Sequence, residues 1–422
     1  MKYLLKCTSP GCATVITDEE RGSLVCPDCD NPLNVNIIHN KVNKIDDDFF
    51  ATPTPSMWKF LPFLPLKDET NIISLGEGGT PLLEARNLTS LFKRNVLLKN
   101  EAGNPTGSFL DRNVSMGISV AKELGYQKAI SLSTGNVGAS VAAYSARAGF
   151  KSLNIVPQYY RAGKIHQIQL YGGNALQIMT RSEKLLMDIV IQASKQFNAV
   201  NLATTALYNA FTNHGAKTIM YEIYEQHGLS LPDLVVVPVG GAGLLCALIQ
   251  ACMELKELEF IEVLPTFIAV QPEGCHPFID ALARDATPKE VYSNPWPRID
   301  TGISALAYDI PFDYPWFHVL RRAMRPSVVE GVLVSDAEAM QARKALSRNE
   351  GIFVELASAT TLAALTKMQE SGNELDRFDN ACLILTGTGL LDVEQAIKGL
   401  PPPETYPYPD LDWRKVMSPY LG

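Results

Sequence analysis

Short apolar runs alternate with longer helical segments from about residue 71 to residue 400, and this alternation predicts an α/β fold. Apolar runs predict strands at residues 96–98, 129–132, 153–157, 175–179, 234–238, 267–270 and 381–385. Apolar positions with helical spacing predict a helix over 114–124, which Gly125 ends, and a run of small residues predicts another over 138–148. The strand predicted at 234–238 leads straight into a glycine-rich loop and a helix.

The two flanking segments follow different patterns. Residues 41–70 carry prolines at 53, 55, 62 and 65, which argue against a long helix and predict a linker. Beyond residue 400, three consecutive prolines and a Tyr-Pro-Tyr-Pro segment predict an extended arm. The main α/β region is therefore expected between these segments.

The chain begins with a cluster of four of its eight cysteines, at Cys7, Cys12, Cys26 and Cys29. Two thiolates separated by two residues, as in the Cys-Pro-Asp-Cys segment, can bind one tetrahedral Zn²⁺, and the first pair is a looser version of that turn. The spacing predicts a zinc-ribbon-like module over residues 1–40, with reduced or vestigial cysteines as the alternative. The remaining cysteines stand in apolar surroundings typical of buried small hydrophobic residues.

Composition narrows the class of protein. The 422 residues are 46% hydrophobic, which is enough for large cores, and the formal net charge is −8. An acidic chain is a poor candidate for general nucleic-acid binding, which requires a basic surface. No apolar stretch approaches the ~20 residues that span a bilayer, and the first residues lack a signal-peptide pattern. We therefore expect a cytoplasmic protein that binds neither membrane nor nucleic acid.

Five segments carry candidate chemistry. In chain order they are Leu75–Leu82 (LGEGGTPL), Asn104–Arg112 (NPTGSFLDR), Ser133–Ser140 (STGNVGAS), Val239–Leu244 (VGGAGL) and Leu385–Asp392 (LTGTGLLD). Together they resemble the motifs of threonine synthases and their relatives, the cysteate synthases and O-phosphoserine sulfhydrylases, which are fold-type II pyridoxal phosphate (PLP) enzymes. Segments Asn213–Glu222, Gln271–Pro277 and Glu350–Ala359 are also similar to that family.

The resemblance implies a fold like that of the tryptophan synthase beta subunit, with two three-layer αβα domains beside the zinc-ribbon-like module. The expected large domain combines residues 71–112 and 211–400, and a smaller domain of residues 113–210 is inserted between its two parts. A C-terminal arm would span 401–422. The resemblance also implies a homodimer and a ligand-binding cleft between the two domains.

The same resemblance assigns roles within the cleft. Asn136 would bond the cofactor's O3′ atom and Thr386 its pyridine nitrogen, where a neutral hydroxyl suits elimination and replacement more than transamination. The cofactor phosphate would bind to the backbone N–H groups of Gly240, Gly241, Ala242, Gly243 and Leu244. Two of these residues, Gly241 and Leu244, stand where the family has asparagines. The substrate carboxylate would bind to Ser133, Thr134, Gly135 and Asn136, although an ordinary helix N-terminus is the alternative for that loop. The implied substrate is a small O-phosphorylated amino acid that undergoes β- or γ-elimination and replacement.

Leu110 departs from the resemblance where the chemistry needs an amine. The family has a lysine there, which forms the Schiff base with PLP and removes the substrate's α-proton, and leucine can do neither. One hypothesis is an enzyme whose lysine was replaced, or whose role another amine takes, with Lys164 and Lys217 as candidates. The alternatives are PLP-independent chemistry in the same pocket, and a catalytically dead protein that binds a ligand. The neighbouring Asp111 and Arg112 are expected to be structural.

Overall fold

The computed structural model describes residues 2–9, 11–17, 24–38, 45, 47–52, 54–133, 135–157, 162–180, 183–397, 402–406 and 412–421. Contacts within the chain divide it into two units, Met1–Leu391 and Asp392–Gly422. No helix in the described ranges is both long and apolar enough to cross a membrane.

The strands are β1 (Tyr3–Cys7), β2 (Val15–Thr17), β3 (Leu33–Ile37), β4 (Leu82–Glu84), β5 (Asn95–Asn100), β6 (Lys128–Leu132), β7 (Lys151–Pro157), β8 (Asn174–Ile178), β9 (Val200–Asn201), β10 (Leu234–Pro238), β11 (Thr266–Pro272), β12 (Val329–Val334) and β13 (Asn380–Leu385). They form three sheets, all within the first unit.

The α-helices are α1 (Asp47–Ala51), α2 (Arg86–Phe92), α3 (Leu110–Glu123), α4 (Asn136–Ala148), α5 (Ala162–Leu170), α6 (Glu183–Phe197), α7 (Thr218–Gln226), α8 (Gly243–Glu257), α9 (Pro277–Ala283), α10 (Pro288–Ser293), α11 (Tyr314–Arg321), α12 (Asp336–Glu350), α13 (Leu356–Glu370), α14 (Val393–Ala396) and α15 (Trp413–Leu421). Short 3-10 helices cover Met57–Phe63, Glu69–Asn71, Glu101–Gly103, Thr212–Lys217, Ser304–Leu306, Pro326–Val328, Asn373–Arg377 and Gly389–Asp392.

The largest sheet has the strand order β12-β11-β10-β13-β5-β4. All its neighbours are parallel except β4, which pairs antiparallel with β5. Its central strand β10 is apolar and buried along its whole length, as expected for a parallel strand covered on both faces. Helices α7, α8 and α11 pack into the core on one face, and α2, α12 and α13 into the core on the other. This is a three-layer αβα arrangement.

A second parallel sheet has the order β8-β7-β6-β9. Helices α3 and α4 contribute to one of its cores and α6 to the other. The two layered sheets confirm the predicted α/β fold class. The exact limits of the two domains stay a prediction.

The N-terminal module is a three-stranded antiparallel sheet with the order β2-β1-β3. Alternate residues of β1 and β3 are buried, and they share one core with Met116 and Val120 of helix α3 and with Phe211. The rings of Tyr3 and Phe211 meet edge to face, with centroids 5.8 Å apart. The module is therefore packed on the helix that begins at Leu110.

Three elements differ from the sequence expectation. Helix α3 begins at Leu110 rather than at residue 114. Its first turn contains the buried polar residues Asp111, Arg112 and Asn113, so the apolar periodicity does not reach the start of the helix. Strand β12 carries Gly331, and a glycine weakens the sequence pattern of a strand. A Cβ at this position would lie 2.8 Å from Ile279 Cγ2, so close packing explains the glycine. The tail beyond residue 400 was expected to be extended. It instead contains helix α15 at Trp413–Leu421.

A buried cluster of charges fixes the start of α3. The Arg112 guanidinium lies between Glu101 and Glu222, with nitrogen–oxygen distances of 2.7 Å and 2.6 Å. Lys99 of β5 also pairs with Glu222, at 2.7 Å. Although burial opposes ionisation, Arg112 and Lys99 together lower the pKa of Glu222 to about 2. The cluster therefore joins β5, α3 and α7 through charges that have no access to water, and Arg112 is structural as expected.

Replacing Arg112 by methionine should destabilise the first unit strongly, because it leaves two carboxylates buried with only Lys99 to compensate them. Loss of one partner of a buried pair costs about 3–5 kcal/mol. Urea unfolding followed by circular dichroism measures the effect. The matched control is Arg284→Met, which removes an arginine from the exposed pair with Asp280. Equal shifts in the urea midpoint for the two variants would contradict this account.

Candidate functional site

The predicted site residues lie just beyond the carboxyl ends of parallel strands. Leu110 follows β5, Asn136 follows β6, the loop that begins at Gly240 follows β10, and Thr386 follows β13. Strands β10, β13 and β5 are neighbours in one sheet, so three of these segments share its carboxyl edge. In open α/β sheets, this edge is where ligands bind.

Leu110 and Thr386 are held together by main-chain contacts. The Phe109 N–H donates to the Thr386 carbonyl at 3.0 Å, and Ser108 forms a β-bridge with Gly387. Glu355 completes this arrangement, since its own N–H donates to the Gly387 carbonyl at 3.0 Å. An ideal Cβ on Gly387 would lie 2.7 Å from Glu355 Oε2, so the close approach requires glycine.

The Thr386 hydroxyl is oriented by a second hydroxyl. Ser358 Oγ lies 2.9 Å from Thr386 Oγ1 and accepts the Gly387 N–H at 3.0 Å. Both side chains are buried, Thr386 at 7% exposure and Ser358 at 0%. Since a buried hydroxyl needs partners, Ser358 restricts the directions in which Thr386 can donate or accept.

Asn136 lies at the first residue of α4 and donates to Glu355 Oε2 at 2.8 Å. The structure therefore brings Asn136, Leu110 and Thr386 together around Gly387 and Glu355. Ser133 caps the same helix, because its hydroxyl accepts the N–H groups of Gly135 and Gly138 at 3.2 Å and 3.0 Å. That cap occupies one donor expected to face a carboxylate. Thr134, predicted for the same loop, lies outside the described residues.

The glycine-rich loop exposes a row of main-chain donors. Ala242 adopts a left-handed conformation with φ of 73°, and helix α8 starts directly after it without a side-chain cap. Within the described ranges, no acceptor is bonded to the N–H groups of residues 240–244. Consecutive free N–H groups at a helix N-terminus form a site for an anion such as phosphate. Side-chain donors are missing from the loop itself, in agreement with the predicted backbone role.

Asp111 is structural, as expected. Its carboxylate accepts the Thr106 N–H and hydroxyl at 2.6 Å and 2.7 Å, and the Ser140 hydroxyl at 2.7 Å. Burial raises the pKa of Asp111 to about 6, although these hydrogen bonds oppose the shift. The carboxylate thus ties the turn before Leu110 to helix α4.

Two buried lysines near the site are held in ion pairs. Lys217 is fully buried, pairs with Glu254 at 2.7 Å and donates to the Phe63 carbonyl at 2.7 Å. Lys99 is equally buried and pairs with Glu222. The ion pair with Glu254 disfavours Lys217 as the replacement for the lysine, and that role stays an untested hypothesis. The side chain of Lys164 lies outside the described residues.

Sequence reasoning assigned no role to three residues that belong to the site. Glu355 and Ser358 stand in the segment EGIFVELASA, and their grouping with Asn136 and Thr386 depends on the pairing of Val354 with Thr388. Asp313 lies beside the glycine-rich loop, where its N–H donates to the Gly241 carbonyl at 2.8 Å. No local pattern distinguishes this aspartate from an exposed one. His276 bonds the Glu273 carbonyl and packs against Trp296, with the two ring planes tilted by 55°.

The four N-terminal cysteines form a separate cluster. Their sulfur atoms all lie within 4.8 Å of one another, and none of the four forms a disulfide. Burial raises the pKa of Cys7, whereas hydrogen bonds with Thr14 lower the pKa of Cys12 to about 7. Four convergent sulfurs are compatible with a tetrahedral zinc site.

Comparison with known families agrees with this geometry. A family model described as "Pyridoxal-phosphate dependent enzyme" matches residues 73–387. The chain therefore belongs to the family of pyridoxal-phosphate dependent enzymes.

Within that family its relatives are threonine synthases. The chain is 37% identical to the threonine synthase of Methanocaldococcus jannaschii over 358 residues, which cover 84% of this chain and 85% of the relative. It is 33% identical to that of Methanosarcina acetivorans over 400 residues, covering 94% of each chain. These matches make it threonine synthase-like.

Solved structures share the fold at lower identity. Maize serine racemase aligns with a TM-score of 0.62 and 19% identity, covering 76% of this chain and 92% of that chain. The O-ureido-L-serine-bound lysine-to-alanine mutant of O-ureido-L-serine synthase aligns with a TM-score of 0.63 and 19% identity, covering 85% of this chain and all 100% of that chain.

The residues present fit the non-covalent part of a PLP site but not the covalent part. The loop at 240–244 offers donors for a phosphate, and Thr386 and Asn136 offer polar groups of the kind that a pyridine ring needs. The buried Ser108 hydroxyl has no partner in the described part of the chain, which is typical of a site completed by water or ligand. Leu110 offers no nitrogen for a bond to the aldehyde.

Gly243→Ala should disturb the loop, whereas Gly241→Ala should not. A Cβ at Gly243 would lie 2.4 Å from Asn213 Nδ2 and 2.6 Å from Asp313 Oδ2, but at Gly241 the nearest atom is Phe312 N at 4.0 Å. Breaking the buried hydrogen bond between Asn213 and Asp313 costs about 1–3 kcal/mol. Urea midpoints of the two variants compare the costs. Similar midpoints for both variants would show that the loop is not packed in this way.

Proposed function

We propose that this threonine synthase-like protein binds PLP and a small O-phosphorylated amino acid without covalent attachment of the coenzyme. The observation that carries the proposal is the row of N–H groups at 240–244, which follows β10 at the sheet edge where Thr386 follows the neighbouring strand β13. Leu110, in the position of the amine, follows β5 at the same edge. PLP, when bound, supplies an electron sink for reactions at the α- and β-carbons of amino acids.

The residues of the cleft divide the work of binding. The loop 240–244 and the N-terminus of α8 would hold the coenzyme phosphate through main-chain N–H groups. Thr386, oriented by Ser358, would bond the ring nitrogen as a neutral partner, and Asn136 would bond O3′ while Glu355 fixes its amide. The loop 133–136 would bind the carboxylate of the amino acid, with Ser133 shaping the loop through its cap of α4.

Leu110 limits what the bound protein can catalyse. It can neither bind the coenzyme covalently nor take the α-proton from a substrate, and each positioned proton transfer contributes roughly 10²–10⁴-fold to a rate. Lys99 and Lys217 are held in buried ion pairs. Turnover by the chemistry of the lysine-bearing family is therefore expected to be very slow, and the retained property is ligand binding. PLP-independent chemistry remains the second candidate, favoured by Glu355, a carboxylate that lines the cleft at 7% exposure.

The purified protein should bind PLP reversibly, and Leu110→Lys should convert this to covalent binding. Reduction with borohydride followed by peptide mass measurement should find no lysine adduct in the unchanged protein and one on residue 110 of the variant. Leu110→Met is the control, since it has similar volume but no amine. The amino-acid arm is tested by adding O-phosphoserine and O-phosphohomoserine and following the absorbance of bound PLP.

Two results would decide against the proposal. An adduct on a lysine of the unchanged protein would identify a replacement amine, with Lys164 the first position to inspect. Failure of both proteins to bind PLP at all would favour PLP-independent chemistry, which a screen for turnover of phosphorylated metabolites would then address.

We also propose that the cysteine cluster binds one structural Zn²⁺. Metal analysis should find about one zinc per chain, as four thiolates fill a tetrahedral site, and Cys26→Ala should lose it and unfold at a lower temperature, because metal affinity adds to folding free energy. Cys252→Ala, which removes a buried cysteine outside the cluster, should keep its zinc. Zinc-free protein with unchanged thermal stability would contradict the proposal.

A further inference from the structure

Asp313 lies where three parts of the fold meet beneath the glycine-rich loop. Its Oδ1 accepts the Ala206 N–H at 2.6 Å and the Thr205 hydroxyl at 3.0 Å. Its Oδ2 accepts the Asn213 side-chain amide at 3.1 Å. Its main-chain N–H donates to the Gly241 carbonyl at 2.8 Å. One residue thus bonds the segment after β9, the 3-10 helix at 212–217 and the loop.

The carboxylate of Asp313 stands directly behind the first turn of α8. An ideal Cβ on Gly243 would lie 2.6 Å from Asp313 Oδ2, so this oxygen is in contact with the residue that opens the helix. A negative charge there acts on the same main-chain donors that would hold a phosphate. Because the contact is buried, water screens it little.

The hydrogen bonds continue from Asp313 to the helix that carries Leu110. Asn213 Oδ1 accepts the side-chain amide of Asn113, on α3, at 3.2 Å. Beyond this point, Asn113 Oδ1 and the Thr212 hydroxyl have no partner in the described part of the chain. Asn113 lies three residues after Leu110. The hydrogen-bonded side chains of Asp313, Asn213 and Asn113 therefore connect the glycine-rich loop to helix α3, which begins at Leu110.

No described lysine or arginine pairs with Asp313, so its charge is stabilised by hydrogen bonds alone. The titratable groups around it are the Tyr292 phenol and the Cys246 thiol, whose pKa values are raised by burial and by Asp313, the Tyr208 phenol near Tyr292, and His214 beside Asn213. Burial lowers the pKa of His214 well below its usual value, so that ring is neutral at physiological pH.

The pKa of Asp313 lies close to physiological pH. Burial raises its pKa to about 7, although the bonds from Ala206, Thr205 and Asn213 oppose the shift. A carboxyl with a raised pKa is neutral below that value and ionised above it. An anion bound at the loop would meet a neutral neighbour in acid and a negative one in alkali.

We propose that Asp313 is a positioning residue which holds the glycine-rich loop against α3 and couples anion binding at that loop to its own protonation. The proposal rests on the proposed function, since it takes residues 240–244 as the phosphate site. It predicts that anion affinity falls as pH rises through about 7, the value to which burial brings the pKa of Asp313. Above that pH, binding of a phosphate group at the loop should be accompanied by proton uptake at Asp313.

Inorganic sulfate is the probe, because it remains a dianion throughout pH 6–8.5 whereas phosphate and PLP titrate there. Its dissociation constant, measured by isothermal titration calorimetry at each pH, reports occupancy of the loop without requiring that PLP binds. For the unchanged protein the sulfate affinity should fall roughly tenfold between pH 6 and 8.5, as expected for an interaction of about one pKa unit between two buried anionic groups. Asp313→Asn, which keeps the shape and removes the charge, should abolish most of that fall.

Two further variants separate coupling from general effects. Asp300→Asn removes the same charge from an exposed side chain nearby in sequence and should leave the pH profile unchanged. Thr205→Val removes a bond donated to the ionised form of Asp313, so the profile should move to higher pH. This variant decides the matter if Asp313→Asn does not fold, because a merely structural role would not move a pH midpoint.

The outcomes distinguish this inference from the proposed function. Sulfate binding with one pH profile for the unchanged protein, Asp313→Asn and Thr205→Val would overturn the coupling and leave the proposed function standing. Absence of both PLP and sulfate binding at pH 6 would overturn the two together. A profile that flattens in Asp313→Asn and moves upward in Thr205→Val supports the coupling.

Discussion

The burial of charge around Arg112 constrains the rest of the site. A guanidinium without access to water must be matched by carboxylates, and Glu101 and Glu222 approach it from two different elements. Since these partners are fixed in β5's continuation and in α7, the first turn of α3 has little freedom of position. Residue 110 is consequently held in one place whatever side chain it carries. Under the proposed function, the fold keeps the position at which the coenzyme would be attached, although Leu110 lacks the amine.

The chain is similar to threonine synthases along most of its length, and under the proposed function Leu110 stands where the covalent bond would be made. The polar groups around the cleft support one another: Ser358 orients Thr386, and Glu355 orients Asn136. Buried polar groups arranged in this way are costly unless each finds a partner, so they persist only in a structure that satisfies them. Leucine at residue 110 costs nothing comparable, because an apolar side chain at a half-buried position needs no partner.

The sequence predicted the fold class well, because parallel strands buried on both faces are apolar runs and glycine-rich loops follow them at fixed places. The resemblance also assigned Leu110, Asn136 and Thr386 to one cleft, and the structure brings the three together around Gly387 and Glu355. What could not be predicted depends on long-range pairing. The ammonium of Lys217 is bound by Glu254 and the Phe63 carbonyl, two partners distant in sequence that no local pattern indicates. Asp313 is buried because residues more than ninety positions earlier in the chain donate to it.

The N-terminal module has a consequence for how the chain can be divided. Its sheet buries one face on Met116, Val120 and Phe211, which belong to the body of the protein rather than to the module. A shortened chain that starts after residue 40 would expose these side chains to water as a contiguous apolar surface, of the kind that promotes self-association. The N-terminal segment that carries the cysteines therefore covers an apolar surface of the rest of the protein. A chain that lacks this segment is expected to aggregate.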